Sequence, residues 1–288
     1  MSELAGGDFL AGMAASSRAR SAAAQARRSA ADLRALLAGA PAPPTLQIST
    51  EGFDLIAECK LRSPAIGQLR ASSAVDVEST VRAYAAAGAA AVSVLTEPDR
   101  FDGSMEHLER AAAALETRGV PAMRKDFLVD TYQVLEARAA GAGGVLFILR
   151  MLERDVLEAM IDTALEQKMF VLLEAFDEAD IELAMRLLAP RKSAGFSLLL
   201  GVNCRDLVTL QVVPGRLEQL APKLPHYVLR VAESGVESAE DTARLAHAGY
   251  DLALVGSALM KNGDPSRLAG AMLAAARDAR GHRRRFER

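Results

Sequence analysis

Charged and amide side chains end five of the apolar, β-type segments along this chain. The first of these segments ends in Glu58 and Lys60, and the other four end in Lys125, Glu174, Asn203 and Glu233. Glutamates and lysines that share one partly dry cavity shift each other's pKa values, which is the setting of general acid–base catalysis. The plainer alternative, an ion-pair plug that only fills the interior of the fold, stays open on these residues alone.

Small residues follow the last two β-type segments. Ser234 and Gly235 follow the seventh segment, and Gly256 and Ser257 follow the eighth. Glycine lets backbone N–H groups come close to a phosphate, and the positive end of a following helix dipole attracts the anion. One such pair is often only a turn, but two in consecutive loops indicate a phosphorylated small-molecule substrate.

Eight strand segments and the helical segments between them must position these side chains. Most of the strands are continuous apolar runs, which predicts a sheet buried on both faces, and the strand–helix repetition predicts parallel, right-handed crossovers. We therefore predict an α/β fold, a single (β/α)8 TIM barrel with an N-terminal helical extension, in which chemistry lies at the carboxyl ends of the strands. A doubly wound open sheet is the alternative, but residues 59–64 lack the glycine-rich dinucleotide loop that it would need. The predicted strands are 53–60, 90–96, 121–126, 144–149, 170–175, 197–203, 227–233 and 251–256, and the predicted helices are 76–87, 104–118, 131–140, 154–167, 178–188, 214–221, 238–248 and 264–279.

The two-residue period of a strand predicts which side chains point into the barrel. Glu58 and Lys60 lie two residues apart and share one face, while the opposite face of this strand is apolar. We expect the apolar face to meet the helices and Glu58 and Lys60 to point inward. Cys59 and Cys204 are each one place off this parity, so we expect packing residues rather than nucleophiles. Arg150, just past the fourth strand, is expected at a solvated rim.

Composition excludes several classes of protein. The 288 residues carry 34 Lys and Arg against 37 Asp and Glu, a formal net charge of −3, with 50% hydrophobic residues. These values exclude a disordered chain and argue against a nucleic-acid partner. No apolar run reaches the roughly 18 residues of a membrane helix, so no membrane contact is expected. Two cysteines without CxxC spacing indicate a reducing compartment and no metal site, and we expect a cytoplasmic protein.

The chain divides into three parts at its proline-rich and basic segments. Residues 1–45 form a helical extension and linker that ends in a proline-rich breaker, 46–279 form the barrel, and 280–288 form a basic tail. Leu33, Leu36 and Leu37 recur at helical spacing, which predicts an amphipathic helix docked on the barrel. The Ala, Ser and Arg content of residues 10–39 leaves a transit peptide as the alternative.

Seven stretches, in matching order and spacing, resemble the indole-3-glycerol phosphate synthase family of tryptophan biosynthesis. They are IAECKLRSP (56–64), SVLTEPDRFDGS (93–104), RKDFLVDTYQVLEARAAGA (124–142), LLEAF (172–176), GVNCRDL (201–207), AESGV (232–236) and LVGSALM (254–260). The resemblance covers roughly residues 50–275. It implies a carboxy-lyase that closes and decarboxylates 1-(2-carboxyphenylamino)-1-deoxyribulose 5-phosphate to indole-3-glycerol phosphate, with release of carbon dioxide and water and without a cofactor or metal.

The same resemblance implies a role for each matching position. Lys125 resembles the general acid that protonates the substrate carbonyl, Lys60 the residue that holds the anthranilate carboxylate, and Glu174 the acid/base group of dehydration. Glu58, Asn203 and Glu233 are similar to residues that position the reacting groups. The substrate- and phosphate-binding positions are Ser63, Arg205, Ser234, Gly235, Gly256 and Ser257, and the apolar wall around the substrate ring is Phe101, Phe127, Leu146, Leu207 and Leu254.

Some positions depart from the family pattern, and two other functions stay open. Leu61, Ala65 and Ile66 lie in a loop that is usually lysine-rich, Phe176 stands where His is frequent, and Cys204 where Asn is frequent. The altered loop is the support for a non-catalytic or repurposed barrel that binds a phosphorylated ligand. A phosphoribosylanthranilate isomerase would use a Cys/Asp pair at strand ends, for which Cys59 has the wrong parity. We expect a monomer or weak homo-oligomer, with contacts to other tryptophan-pathway enzymes left open.

Overall fold

Eight parallel strands close into a barrel in this computed structural model, which describes residues 6–63, 67–68 and 76–286. Each strand pairs with its neighbours in chain order, and the eighth closes against the first. The (β/α)8 TIM barrel predicted from the sequence is therefore confirmed. The strands are β1 Asp54–Cys59, β2 Ala91–Leu95, β3 Ala122–Lys125, β4 Gly144–Ile148, β5 Phe170–Ala175, β6 Leu198–Asn203, β7 Leu229–Glu233 and β8 Leu252–Val255.

Helices follow the strands and surround the barrel. Short 3-10 segments lie at Leu149–Met151, Ala189–Ser197 and Ala221–Lys223, and an antiparallel ladder joins Arg62–Ser63 to Gly67–Gln68 after β1. The α-helices of the described chain are α1 Gly6–Arg27, α2 Ala30–Leu37, α3 Val77–Ala86, α4 Pro98–Phe101, α5 Met105–Glu116, α6 Thr131–Ala139, α7 Arg154–Glu166, α8 Glu178–Leu188, α9 Arg216–Leu220, α10 Ala239–Ala248, α11 Ser257–Lys261 and α12 Pro265–Phe286.

Predicted and observed boundaries agree within two residues for every strand and nearly every helix. The exception is α12, which continues to Phe286 past the expected start of the tail at 280. Arg280 anchors this extra length, because its guanidinium donates to the Gly52 carbonyl oxygen at 3.1 Å and pairs with Asp251. The short helices α4 and α11 were not predicted, because four or five residues are too few to show a helical period.

The alternation of side chains divides the core into two layers. Residues of one parity, among them Ile56, Leu172 and Val231, fill the barrel interior. Residues of the other parity pack between the strands and the helices, and both Cys59 and Cys204 lie in that outer layer. Burial raises the pKa of the Cys59 thiol to about 12, so this cysteine is an inert packing residue, as the parity predicted.

The N-terminal extension packs on the barrel as two helices. A capping box between Ser29 and Asp32 starts the second helix directly after the first ends. Leu33 of α2 is buried against α6, whereas Leu36 is half exposed. α1 lies across the carboxyl ends of the strands, where Leu10 and Met13 join the apolar residues of the barrel interior. Among the described residues, no helix has the length and apolarity to span a membrane.

Candidate active site

One cavity opens at the carboxyl ends of the strands and collects nearly every predicted site residue. It encloses about 1190 Å³ of empty space, including its open mouth. Ser63 is the exception: its backbone lies in the ladder after β1, and its side chain lies outside the described residues. The predicted residues that line the cavity are Glu58, Lys60, Lys125, Glu174, Asn203, Glu233, Arg205, Ser234, Gly235, Gly256, Ser257, Phe101, Phe127, Leu146, Leu207 and Leu254.

Lys125 lies between two buried glutamates in this cavity. Its Nζ is 3.3 Å from Glu174 Oε1 and 3.9 Å from Glu233 Oε2. Asn203 Nδ2 donates to the same Glu174 oxygen at 2.8 Å, which fixes that carboxylate. Burial alone would lower the pKa of Lys125, but the charges of Glu174, Glu233 and Glu58 outweigh it and hold the pKa above its usual value. Lys125 is therefore an ammonium at neutral pH, able to donate a proton.

Glu58 and Lys60 form a second pair on the inward face of β1. Lys60 Nζ lies 2.5 Å from Glu58 Oε1, and the Glu58 side chain is almost fully buried. Burial alone would raise the pKa of Glu58, but the positive charges of Lys60 and Lys125 outweigh it and hold the pKa below its usual value. Glu58 is therefore held as an anion, and the Lys60 side chain lines the cavity beside it.

Glu233 is the carboxyl group of the cavity whose pKa is raised. It is buried, and neither of its oxygens has a hydrogen-bond partner among the described residues. Burial and the nearby charge of Glu174 raise its pKa well above the usual value, against the opposing charge of Lys125. The site thus places a carboxyl group that holds its proton more tightly than usual beside the Lys125–Glu174 ion pair.

Two glycines make room for these buried carboxyl groups. A Cβ atom built on Gly201 would lie 2.0 Å from Glu233 Oε1, and one on Gly256 would lie 2.3 Å from Glu58 Oε1. Both positions share the inward face with the carboxyl groups, so any side chain there would occupy the space of Glu233 or Glu58. From the sequence we expected only a phosphate-binding role for Gly256 and no role for Gly201.

Apolar side chains form one wall of the cavity. The rings of Phe101 and Phe127 are 6.2 Å apart with an interplanar angle of 42°. Phe101 ends the short helix α4, which the buried Glu97 caps by accepting from the amides of Asp99 and Arg100 at 3.0 and 2.7 Å. This cap holds Phe101 at a fixed place on the wall.

The loops after β6, β7 and β8 form the opposite side of the cavity. Ser234 and Gly235 both have left-handed backbone angles, with φ values of 70° and 67°. Gly256 precedes the first turn of α11, where N–H groups have no partner within the helix. The Arg205 amide donates to Asn203 Oδ1 at 2.9 Å, and its guanidinium donates to the Leu210 carbonyl oxygen at 2.5 Å. The backbone amides in these loops could bind an anion.

Sequence reasoning missed the contribution of α1 to the site. Phe9 lines the cavity, and its ring meets Phe127 edge-on at 5.9 Å. Both terminal nitrogens of Arg20 donate hydrogen bonds to the Asp126 carboxylate at 2.8 Å. Asp126 directly follows Lys125. Asp126 also accepts from Thr96 Oγ1 at 2.7 Å and from the Phe127 amide at 2.8 Å. No local signal could have found these contacts, because Arg20 and Asp126 are 106 residues apart.

Phe176 lines the cavity, a position for which no role was expected from the sequence. Arg150 is exposed, as expected for a solvated rim, and it pairs with Asp177 and Asp180 at 2.5 and 2.7 Å. The described residues contain no group of three His, Cys, Asp or Glu side chains arranged to hold a metal ion.

Comparison with known proteins gives matches along most of the chain. The family model for indole-3-glycerol phosphate synthase matches residues 10–271. The indole-3-glycerol phosphate synthase of Nocardioides sp. strain JS614 is 44% identical over 239 residues, covering 82% of this chain and 87% of that protein. The enzyme of the same name from Mycobacterium leprae strain TN is 40% identical over 250 residues, covering 86% of this chain and 87% of the relative.

Solved structures with low sequence identity share the fold. The 3-hexulose-6-phosphate synthase of Salmonella typhimurium superposes with a TM-score of 0.59 at 14% identity and covers 80% of this chain and 99% of that chain. Thiamine phosphate pyrophosphorylase of Pyrococcus furiosus gives a TM-score of 0.54 at 15% identity, covering 80% and 97%. At these identities the likeness establishes the barrel and nothing about the reaction.

Proposed function

The chain belongs to the indole-3-glycerol phosphate synthase family of tryptophan biosynthesis, and from this membership we propose the reaction of its cavity. The substrate is 1-(2-carboxyphenylamino)-1-deoxyribulose 5-phosphate, and the products are indole-3-glycerol phosphate, carbon dioxide and water. This reaction would make the chain a carboxy-lyase. Its two free, buried cysteines support a reducing compartment such as the cytoplasm.

The observation that carries the proposal is the buried Lys125 ammonium between Glu174 and Glu233. It stands where the apolar wall meets the loops after β6, β7 and β8. The proposed substrate has a flat apolar ring at one end, a phosphate at the other and a ketone between them. The cavity offers a matching surface for each of these three parts.

Ring closure is the first step. The ring carbon that bears the carboxylate forms a bond to the ketone carbon, and the ketone oxygen takes a proton from Lys125 as its negative charge develops. An ammonium held in a buried site stabilises that charge far better than water does. The wall residues Phe101 and Phe127 would hold the ring in attack geometry, which removes much of the entropic cost.

Decarboxylation follows from the adduct itself. The amine nitrogen of the adduct becomes an iminium, so the electrons of the carbon–carboxylate bond move toward it as carbon dioxide leaves. Lys60 would hold the carboxylate before this step. Glu58, paired with Lys60 at 2.5 Å, would favour departure because the leaving carboxylate loses its negative charge beside an anion.

Dehydration needs an acid and a base close together. The hydroxyl group leaves as water when it receives a proton, and removal of a C–H proton from the new five-membered ring then completes the aromatic indole. We assign the acid to Glu233, because burial and the charge of Glu174 raise its pKa and let it hold a proton more tightly than usual. We assign the base to Glu174, which Asn203 orients through a hydrogen bond of 2.8 Å. Two carboxyl groups in different environments can divide the acid and base work of one reaction in this way.

The phosphate would bind on the far side of the cavity. Ser234, Gly235 and the first turn of α11 supply backbone N–H groups, and Arg205 stands beside them in the lining. These donors fix one end of the substrate while the wall fixes the other. Binding at two ends holds the ketone near Lys125 throughout the reaction.

The test is turnover of the substrate by the purified chain, followed by indole fluorescence without added cofactor and with a chelator present. We expect wild-type turnover, and loss of turnover in Lys125→Met. Lys125→Arg separates catalysis from an ion-pair plug, because arginine keeps the positive charge but does not release a proton at neutral pH. We expect Lys125→Arg to keep a folded barrel and to lose turnover. Lys192→Met, on the exposed 3-10 segment before β6, is the control. Normal turnover in either Lys125 variant would contradict the proposal.

A further inference from the structure

The ring of Phe176 forms part of the cavity at the end of β5. Phe176 lies two residues past Glu174 and therefore on the same inward side, with a residue exposure of 3%. It packs in the same apolar cluster as Phe127, Ile148 and the partly buried Leu207. Its position next to Glu174 places it where the apolar wall meets the proposed base.

Arg150 covers one face of this ring. The guanidinium carbon of Arg150 lies 5.0 Å from the centroid of the Phe176 ring, a cation–π contact. Ile148 and Glu174 are register partners on β4 and β5. Arg150 lies two residues after Ile148, and Phe176 lies two residues after Glu174. The two side chains therefore meet as the next inward pair beyond the strand ends.

Asp180 holds both members of this contact. Its Oδ2 accepts from the Phe176 amide at 2.8 Å and from Arg150 Nε at 2.9 Å. Arg150 also donates to Asp177 Oδ2 at 2.5 Å, and Asp177 caps α8 by accepting from the Asp180 amide. The backbone of Phe176 and the cation on its ring are thereby tied to one carboxylate. A ring that turned aside to admit a larger ligand would lose its cation–π contact with Arg150, which the two aspartates hold in place.

We propose that Phe176 is a specificity-determining residue that sets the size of the pocket for the substrate's aromatic ring, and that Arg150 is the positioning residue that fixes it. The inference rests on the proposed function, since it concerns the ring of that substrate. Phe176 excludes rings that carry an extra substituent, and Arg150 acts only through the orientation of Phe176.

The experiment compares the proposed substrate with four analogues, each with one methyl group on a different free ring position. In Phe176→Leu we expect kcat/KM for the unsubstituted substrate to fall and that for at least one analogue to rise. Their ratio should change by about tenfold or more, since one methyl or methylene group in an apolar pocket is worth roughly 10- to 200-fold. Phe170→Leu is the matched control, because Phe170 lies at the start of the same strand, in the same apolar cluster, and does not line the cavity.

Arg150→Gln tests the positioning role. We expect kcat/KM to rise for the same analogue as in Phe176→Leu, by a smaller factor. For the unsubstituted substrate, KM should rise more than kcat falls. Arg191→Gln is the control, because Arg191 also forms a two-bond pair, with Asp162 at 2.6 and 2.8 Å, on the segment that leads into the opposite end of the barrel. That variant should leave the ratio unchanged.

The outcomes separate the two proposals. If wild type turns over the unsubstituted substrate and both Phe176→Leu and Arg150→Gln keep the wild-type ratio for all four analogues, the inference about Phe176 is wrong. If wild type does not turn over the substrate at all, the proposed function is wrong. Should Phe176→Leu fail to fold, Phe176→Met and Arg150→Gln still give the ratio, and an unchanged ratio in both overturns the inference.

Discussion

Replacing Arg20 with methionine should loosen α1 from the cavity mouth while the barrel stays folded. Methionine keeps a long apolar side chain but removes the two hydrogen bonds of 2.8 Å to Asp126. α1 carries Phe9, which meets Phe127 at 5.9 Å in the cavity lining. Arg20 does not line the cavity, but it lies on the same helix as Phe9, so the substitution should change the cavity lining through a movement of α1.

The magnitude follows from the partners that Asp126 keeps. Breaking a buried ion pair by removing one member costs roughly 3–5 kcal/mol. Asp126 retains Thr96 at 2.7 Å, the Phe127 amide at 2.8 Å and Arg124 at 3.6 Å, and the Arg20 side chain is 26% exposed. We therefore expect a smaller loss, about 2–3 kcal/mol of docking free energy. This corresponds to roughly a 30- to 150-fold shift in the equilibrium between docked and detached α1.

Hydrogen exchange of the α1 amides and the steady-state KM together measure this shift. Detachment of one helix is a local opening, so protection in α1 should fall while protection in the barrel strands remains. KM should rise more than kcat falls. Arg18→Met is the control, because Arg18 lies two residues earlier on an exposed position of the same helix. Unchanged α1 protection and KM in Arg20→Met would refute the reasoning.

The pH dependence gives a second check on the same variant. Burial alone would raise the pKa of Asp126, but Arg20 and Arg124 outweigh it and hold the pKa below its usual value. A carboxyl group with a lowered pKa in the folded state stabilises fully above its unfolded pKa of about 3.9, and this stabilisation is lost as pH falls through the folded pKa. The difference between wild type and Arg20→Met should be full at pH 7 and should shrink below about pH 4.

Three further outcomes follow from the site. Gly201→Ala should lower turnover, and it should lower the free energy of unfolding by about 1–3 kcal/mol in urea titrations, because its Cβ would overlap Glu233 Oε1. Gly195→Ala is the control, since a Cβ there meets open space but φ is positive. That variant should lose stability and keep turnover. Wild-type stability should decrease as pH rises above about 4.3, because the raised pKa of Glu233 lets the native state keep a proton that the unfolded chain loses. Glu233→Gln has no such proton and should not show this decrease. An equal decrease in both proteins between pH 5 and pH 9 would contradict the prediction. Cys59 should react with a thiol reagent only at the rate of unfolding, since burial raises its pKa to about 12; fast labelling of the native protein at Cys59, checked against Cys59→Ala, would show that the thiol is accessible.

Local patterns in the sequence were sufficient to predict the barrel and the charged and small residues of the cavity, whereas the apolar wall was expected from the resemblance to the family. Strand parity placed Glu58 and Lys60 inside and Cys59 outside, and the structure has the same arrangement. Charged residues at strand ends converge because all eight strands of the barrel are parallel, so their carboxyl ends share one rim. Register pairs such as Asn203 with Glu233 are consequences of that topology.

What the sequence did not predict depends on contacts between distant segments. The Arg150–Phe176 contact joins two consecutive strand ends, yet neither residue has a local pattern that separates it from a solvated charge or a core aromatic. The position of α1 depends on Arg20 reaching Asp126 across 106 residues. Amphipathic spacing predicts that a helix docks, but the partner surface decides where it docks. The leucine pattern was correct for Leu33 and wrong for the half-exposed Leu36.

Gly201 is a residue whose importance depends on both its type and its place in the strand register. A buried carboxyl group normally needs hydrogen-bond donors around it, yet both oxygens of Glu233 have no such partner among the described residues. Gly201 leaves the space that lets this side chain stand in the site, and burial without donors is what raises its pKa. A residue with no side chain thus affects the environment of the acid that we propose. This role depends on the strand register, which pairs Gly201 with Glu174 on the neighbouring strand and cannot be read from the sequence near Gly201. Gly201→Ala and Glu233→Gln should therefore act on one group, and their effects on stability should not add.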